Sequence, residues 1–312
     1  MKIVFFGNAD FGCKTLSALE ASEHEILAVV TNKDKKSGRK LKLTSTPVKK
    51  EAAKLGLNII EVDSFHLPSF KKELIKLSAD IFVVIAYRIL PKQIYSIPKL
   101  GSINLHASLL PSYKGAAPIQ RAIINGEDYT GLSVFFLNDF VDSGELISQL
   151  KVNVEENDSF GDVWNNLYLK SANFVLKTLD LISSNKKFLI SNLNLKESYA
   201  PKIKRGELQI NWEEKSDLIY NKIRAFSPFP SMYTYLNGKR IKILKSNKSS
   251  YMNNKCSPSG SILEDSGKLM VKCGEGFLEI LKLQPESKKE MSSIDFINGF
   301  LSSSSKTSNV FE

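Results

Sequence analysis

An amide, an imidazole and a carboxylate are the side chains of this sequence best suited to carry a reaction. Asn104 and His106 lie two apart in Ser102–His106, a short apolar run that ends in a loop. Residues two apart on a strand project from one face, so the two stand side by side while Leu105 turns into packing. A neutral amide beside an imidazole suits the stabilisation of an oxyanion together with proton handling near neutral pH. A second apolar run, Leu132–Asn138, leads into Asp139-Phe140-Val141-Asp142-Ser143-Gly144. Asp142, ending a neighbouring strand, is placed to reach His106 and fix its tautomer. Asp139 is the other carboxylate in reach, and turn formation is its simpler role. No Ser or Cys adjoins His106, so the trio offers no covalent nucleophile.

The elements that must position this trio alternate. Strands are predicted over Lys2–Phe6, Ile26–Thr31, Asp80–Ala86, Ser102–His106 and Leu132–Asn138, and helices over Thr15–Ser22, Thr46–Leu55 and Asp162–Ile182. Pro47 fits the first turn of its helix. The run Asp80–Ala86 is almost continuously apolar, as a parallel strand covered on both faces requires. Alternation of this kind predicts a parallel α/β sheet, with ligands received at the carboxyl ends of its strands. From Ser183 to Tyr199 the chain is polar and aperiodic and reads as a connector. Beyond Pro201 short strands follow, Met232–Leu236, Arg240–Lys245, Gly260–Leu263, Leu269–Cys273 and Phe277–Leu283, with Asn237-Gly238 as a hairpin turn. A small β-barrel is the expected outcome. The 312 residues are thus read as two domains.

Several chemistries are set aside. Gly7-Asn8-Ala9-Asp10-Phe11-Gly12-Cys13-Lys14-Thr15 resembles a phosphate loop, but Cys13 separates Lys14 from the second glycine and rotates it by about 100° on a helix. The dinucleotide fingerprint lacks its middle glycine. Cys13, Cys256 and Cys273 are scattered, and His24, His66 and His106 show no metal-ligand spacing, so neither a disulfide framework nor a metal is expected. The chain enters its first strand at once and holds no apolar run of membrane-spanning length, which predicts a cytoplasmic protein.

The formal net charge is +10, and its placement is more telling than its total. Lys33, Lys35, Lys36, Arg39, Lys40, Lys42, Lys49 and Lys50 face only Asp34, a net +7 within one segment. Ser37-Gly38-Arg39-Lys40 reads as a flexible loop, which makes this an arm able to grip phosphates.

The segment Asn104-Leu105-His106-Ala107-Ser108-Leu109-Leu110-Pro111-Ser112-Tyr113-Lys114-Gly115-Ala116-Ala117-Pro118-Ile119 resembles the signature of the folate-dependent formyltransferases. The similarity runs nearly the full length. It takes in KIVFFGNADFG, VVTNKDKKSGRKLKLTSTPVK, VDSG, YAPKIKRGELQINW and IRAFSPFPSMYT, and it points to the branch that acts on aminoacyl-tRNA. The resemblance implies a Rossmann-like catalytic domain over 1–184, a linker over 185–204 and an OB-like tRNA-binding domain over 205–312. It implies Asn104, His106 and Asp142 as catalytic residues, 10-formyltetrahydrofolate as donor without metal or nucleotide cofactor, and methionyl initiator tRNA as acceptor, handled by a monomer. Folate contacts are implied for Tyr87, Arg88, Ile89, Leu90, Ser108, Leu109, Leu110, Pro111, Asp139 and Val141. For tRNA they are implied for Lys33, Lys35, Lys36, Arg39, Lys40, Lys42, Lys204 and Arg205. Four positions depart from the family pattern: Arg88 and Phe140 replace glycines, Ser143 a threonine and Lys114 an arginine.

Overall fold

The computed structural model describes residues 1–37, 42–184, 195–252, 257–301 and 310–312. They form two compact units, one from 1–118, 130–153 and 165–200, the other from 119–129, 154–164 and 201–312.

In the first unit the strands are β1 (Lys2–Gly7), β2 (Glu25–Asn32), β3 (Lys35–Ser37), β4 (Lys42–Thr44), β5 (Ile59–Val62), β6 (Ile81–Ile85), β7 (Ser102–His106), β8 (Lys114–Gly115), β9 (Tyr129–Phe136), β10 (Leu146–Asn153) and β11 (Tyr199–Ala200). Seven of them make one sheet in the order β10-β9-β7-β6-β1-β2-β5. Its middle is parallel, and β1 and β6 are apolar and buried on both faces, as their sequences demand. One expectation is corrected at the edge. The strand carrying the chain toward Asp142, β9, runs antiparallel to β7, pairing His106 with Ser133 and Ile103 with Phe136.

Helices α1 (Cys13–Glu20), α2 (Pro47–Lys54), α3 (Pro68–Leu77), α4 (Lys92–Tyr95), α5 (Pro118–Ile124) and α6 (Phe160–Ser183) link these strands. In α2 the Thr46 hydroxyl accepts from the Lys49 amide at 3.0 Å, with Pro47 in the first turn, so the chain starts this helix where its sequence says it should. Lys14 projects over the Tyr168 ring, 5.8 Å from its centroid, and away from any phosphate-loop geometry.

The second unit holds α7 (Ser216–Ala225) and a six-stranded antiparallel sheet. Its strands are β12 (Met232–Leu236), β13 (Lys239–Ser249), β14 (Ile262–Asp265), β15 (Lys268–Lys272), β16 (Phe277–Pro285) and β17 (Met291–Ser292), followed by α8 (Ser293–Phe296). The order is β12-β13-β16-β15-β14, with β17 also on β16. Asn237 and Gly238 both take positive φ between β12 and β13, the turn their types favour. Ile219, Ile223, Ile243, Leu278 and Ile280 are among its core residues. Arg224 of α7 is buried and donates to the carbonyls of Asp158 and Ile123, so this unit draws its framework from mid-chain as well as from the C-terminal third. Among the described residues no helix is long and apolar enough to cross a membrane.

Candidate active site

Parallel pairing with β6 sets Asn104 beside Val84, and antiparallel pairing with β9 sets it beside Phe135. The alternation along β7 then does what the pleat requires. Leu105 is buried in packing, and Asn104 points its amide into a cleft of about 250 Å³. That amide has no hydrogen-bond partner among the described residues, which leaves it available to a group bound in the cleft.

His106 is buried and engaged. Its Nε2 lies 2.9 Å from the carbonyl oxygen of Tyr113, a pure acceptor, so this nitrogen carries the hydrogen. Its Nδ1 lies 3.7 Å from Oδ2 of Asp142, and both side chains are close to nine-tenths covered. A neutral ring can donate to one of these oxygens and a protonated ring to both. The same Oδ2 accepts from the Gly115 amide at 2.8 Å. Asp142 therefore lies between the cleft, which it lines, and the imidazole.

Because β9 runs the opposite way to β7, Asp142 is not delivered by a strand end. It hangs on the 137–145 loop between β9 and β10, which folds back over the sheet and braces itself. Asn138 accepts from the Phe140 amide at 2.9 Å and donates to the Ser143 carbonyl at 3.0 Å. The turn role thus falls to Asn138, while the Asp139 carboxylate accepts from the Tyr95 hydroxyl at 2.6 Å and from Lys92 Nζ at 3.2 Å. These bonds, that from Tyr95 foremost, hold the Asp139 carboxyl below the usual carboxylate range and push the Tyr95 hydroxyl up. Asp142 itself adopts φ +48°, a conformation that costs an ordinary side chain about 1–2 kcal/mol. Gly144 permits the return of the chain, since a Cβ there would lie 1.6 Å from the Phe136 carbonyl oxygen.

The cleft is lined by Tyr87, Arg88, Ile89, Leu90, Asp139 and Val141, six of the ten residues expected to meet the folate, together with Asn104 and Asp142. Ser108, Leu109, Leu110 and Pro111 do not reach it. Ser108 is fully buried and donates to the Ser112 carbonyl, Leu110 is tied through its amide to Ser133 and through its carbonyl to Gln149, and Leu109 is core. This stretch shapes the loop that presents the Tyr113 carbonyl. The guanidinium of Arg88 is engaged by protein groups, donating to the carbonyls of Asp63 at 2.7 Å and Val62 at 3.0 Å and lying 4.2 Å over the Phe65 ring. Its φ is not positive, so the backbone accepts a side chain there without strain. Ile89, Phe140 and Val141 leave apolar surface bare at the rim. The cleft residues that residue-type reasoning passed over are Val84, Pro91, Lys92, Tyr95, Leu137 and Asn138, along with the Tyr113 carbonyl and Gly115 amide behind them.

The basic segment is partly neutralised in place. Lys33 pairs with Asp63 at 2.7 Å, and Lys49 with Asp34 at 2.8 Å and Glu61 at 2.7 Å. Lys35 and Lys36 are exposed on β3, which pairs with β4 where Lys42 begins; Arg39 and Lys40 lie outside the described residues. Lys204 and Arg205 are exposed at the start of a short turn whose Glu207 accepts from the Lys204 amide.

Residues 1–179 match the family model described as formyl transferase, and residues 202–301 the one described as formyl transferase, C-terminal domain. The methionyl-tRNA formyltransferase of Syntrophomonas wolfei subsp. wolfei is 37% identical over 96% of this chain and 96% of its own. That of Bacillus velezensis is 35% identical over 96% of this chain and 94% of its own. Among solved structures, the sugar 3N-formyl transferase WlaRD, determined with dTDP and 5-N-formyl-THF, shares the fold at a TM-score of 0.65. It is 22% identical, with 93% of this chain and 99% of that chain covered.

Proposed function

The chain belongs to the methionyl-tRNA formyltransferase family, and from that premise we propose that it moves the formyl group of 10-formyltetrahydrofolate to the α-amine of methionyl initiator tRNA. One observation carries the reading: a cleft whose wall presents an unengaged amide, Asn104, next to a carboxylate, Asp142, that is itself 3.7 Å from a buried imidazole. The cleft is smaller than the roughly 300–1,000 Å³ of a whole ligand site. It suits the folate's ring system, with Tyr87, Ile89, Leu90 and Val141 around the ring and the remainder of the donor along the open rim.

Attack by the amine pushes negative charge onto the formyl oxygen while the amine sheds a proton. Asn104 is the donor free to meet that oxygen, and one such donor is worth about 2.7–4 kcal/mol of barrier. The Asp142–His106 pair takes that proton, the ring fixed by the Tyr113 carbonyl, and returns it to N10 as the bond from the formyl carbon to N10 breaks and tetrahydrofolate leaves. Residues 1–184 carry this chemistry in the reading. Residues 205–312, reached through 185–204, hold the tRNA with help from Lys35, Lys36, Arg39, Lys40, Lys42, Lys204 and Arg205, and the protein acts as a monomer.

The test is formyl transfer from 10-formyltetrahydrofolate to methionyl-tRNA, with uncharged tRNA and free methionine as alternative acceptors. Turnover on methionyl-tRNA alone, with binding that weakens steeply between 50 and 200 mM salt, is expected. Equal turnover on free methionine, or salt-insensitive binding, overturns the tRNA part of the reading.

A further inference from the structure

Behind the cleft wall lies a cation that the proposed chemistry does not use. Lys114 of β8 is about nine-tenths buried, yet its Nζ donates to Ser143 Oγ at 2.8 Å and to Glu197 Oε1 at 2.9 Å. The next residue, Gly115, is the one whose amide holds the Asp142 carboxylate. Ser143 directly follows Asp142, and its hydroxyl also donates to the Val141 carbonyl at 2.9 Å. Two successive residues of one short strand thus grip the loop on either side of the same Cα: the main chain of Gly115 takes the carboxylate, and the side chain of Lys114 takes the neighbouring hydroxyl.

The grip is itself braced. β8 pairs with β11 of the segment that follows the catalytic sheet, where Glu197 balances the Lys114 charge and accepts in turn from the Tyr199 hydroxyl at 3.0 Å. The ammonium next to Glu197 holds that carboxyl below its ordinary range. Gly115 cannot be replaced in this arrangement. At φ +120°, a Cβ would stand 2.8 Å from the Ala200 carbonyl oxygen, so β8 and β11 meet only because the side chain is missing. Asp142, held at φ +48°, needs such outside support to keep its geometry.

We propose that Lys114, bridging Glu197 and Ser143, is a positioning residue that holds the Asp142 loop in its reactive geometry. The claim rests on the formyl-transfer reading above. A misplacement of about 1 Å at a reacting group costs on the order of 10²-fold in rate, so the loss should appear in kcat rather than in substrate binding.

The experiment compares wild type, Lys114→Met, Lys114→Arg, Ser143→Ala and the double variant Lys114→Met/Ser143→Ala in the methionyl-tRNA assay, with thermal melting in parallel. We expect Lys114→Met to lower kcat by ten- to a hundredfold with both KM values within threefold, and Lys114→Arg to recover most of that loss. Ser143→Ala, at an exposed position that cannot unfold the protein, should lower kcat about fivefold, with the double variant no worse than Lys114→Met. A kcat within twofold of wild type in Ser143→Ala, or in a folded Lys114→Met, overturns the proposal, as do fully multiplicative effects in the double variant. Wild type inactive on methionyl-tRNA instead sinks the reading on which the proposal rests.

Discussion

Replacing Asp142 by Asn keeps the shape of the side chain and its ability to accept from the Gly115 amide, while removing its charge. At the observed 3.7 Å from His106 Nδ1, a carboxylate stabilises a full positive charge on the ring by about 4.5 kcal/mol at an effective dielectric of ~20. That corresponds to about 10³-fold in rate if the whole charge develops in the transition state. The cleft opens to water on one side of Asp142, which weakens the term, so we expect kcat of Asp142→Asn to fall by about 10²–10³-fold. Because neither Tyr87 nor Leu90 is disturbed, KM for the folate should stay within threefold. Stability should hardly move: exchanging a charge-assisted bond to Gly115 for a neutral one costs about 1 kcal/mol, or about 2 °C in melting temperature. The assay is steady-state formyl transfer to methionyl-tRNA with melting followed on the same samples. A kcat within tenfold of wild type, with the fold intact, would show that the carboxylate's charge is not what the reaction uses.

Two further outcomes follow from the packing. Gly144→Ala forces a Cβ to within 1.6 Å of the Phe136 carbonyl oxygen, so the loop must move; destabilisation on the order of 3 kcal/mol and at least tenfold loss of kcat are expected, and an unchanged melting curve would contradict this. Burial pushes the Cys13 thiol up to about 11 and the Cys273 thiol up to about 12. Thiolate is the reactive form, so at pH 8 both should resist alkylation in the folded protein and react readily in urea, as peptide mass spectrometry would read; rapid native labelling of either would refute it.

The parts of the site that were legible are those written in side-chain type and period. Ser102–His106 is a strand with the bounds its sequence suggests, and its alternation sends Asn104 toward the cleft and Leu105 into packing. Tyr87, Ile89 and Val141, named from the resemblance, lie together on the wall of that cleft. What escaped is main-chain chemistry. The Tyr113 carbonyl and the Gly115 amide anchor the imidazole and the carboxylate, and no residue type announces an oriented peptide group. The direction of β9 escaped as well, because an apolar run between turns reads alike in either sense. Ser108–Pro111, implied as folate contacts, does not line this cleft, and its polar groups are engaged with Ser112, Ser133 and Gln149. Two of the departures, Lys114 and Ser143, look independent in sequence and touch in space.

The interleaved make-up of the second unit bears on how the protein could be dissected. Severing the backbone within 185–204 would release a C-terminal piece whose Arg224 has lost the carbonyls of Ile123 and Asp158, and whose Tyr220 hydroxyl has lost that of Glu156. Arg224 would keep only its bond to Asn221 within that piece, and the surface that 119–129 and 154–164 cover would be laid open to water. A cut at the obvious seam therefore divides the second unit itself, leaving two of its three segments on the other piece.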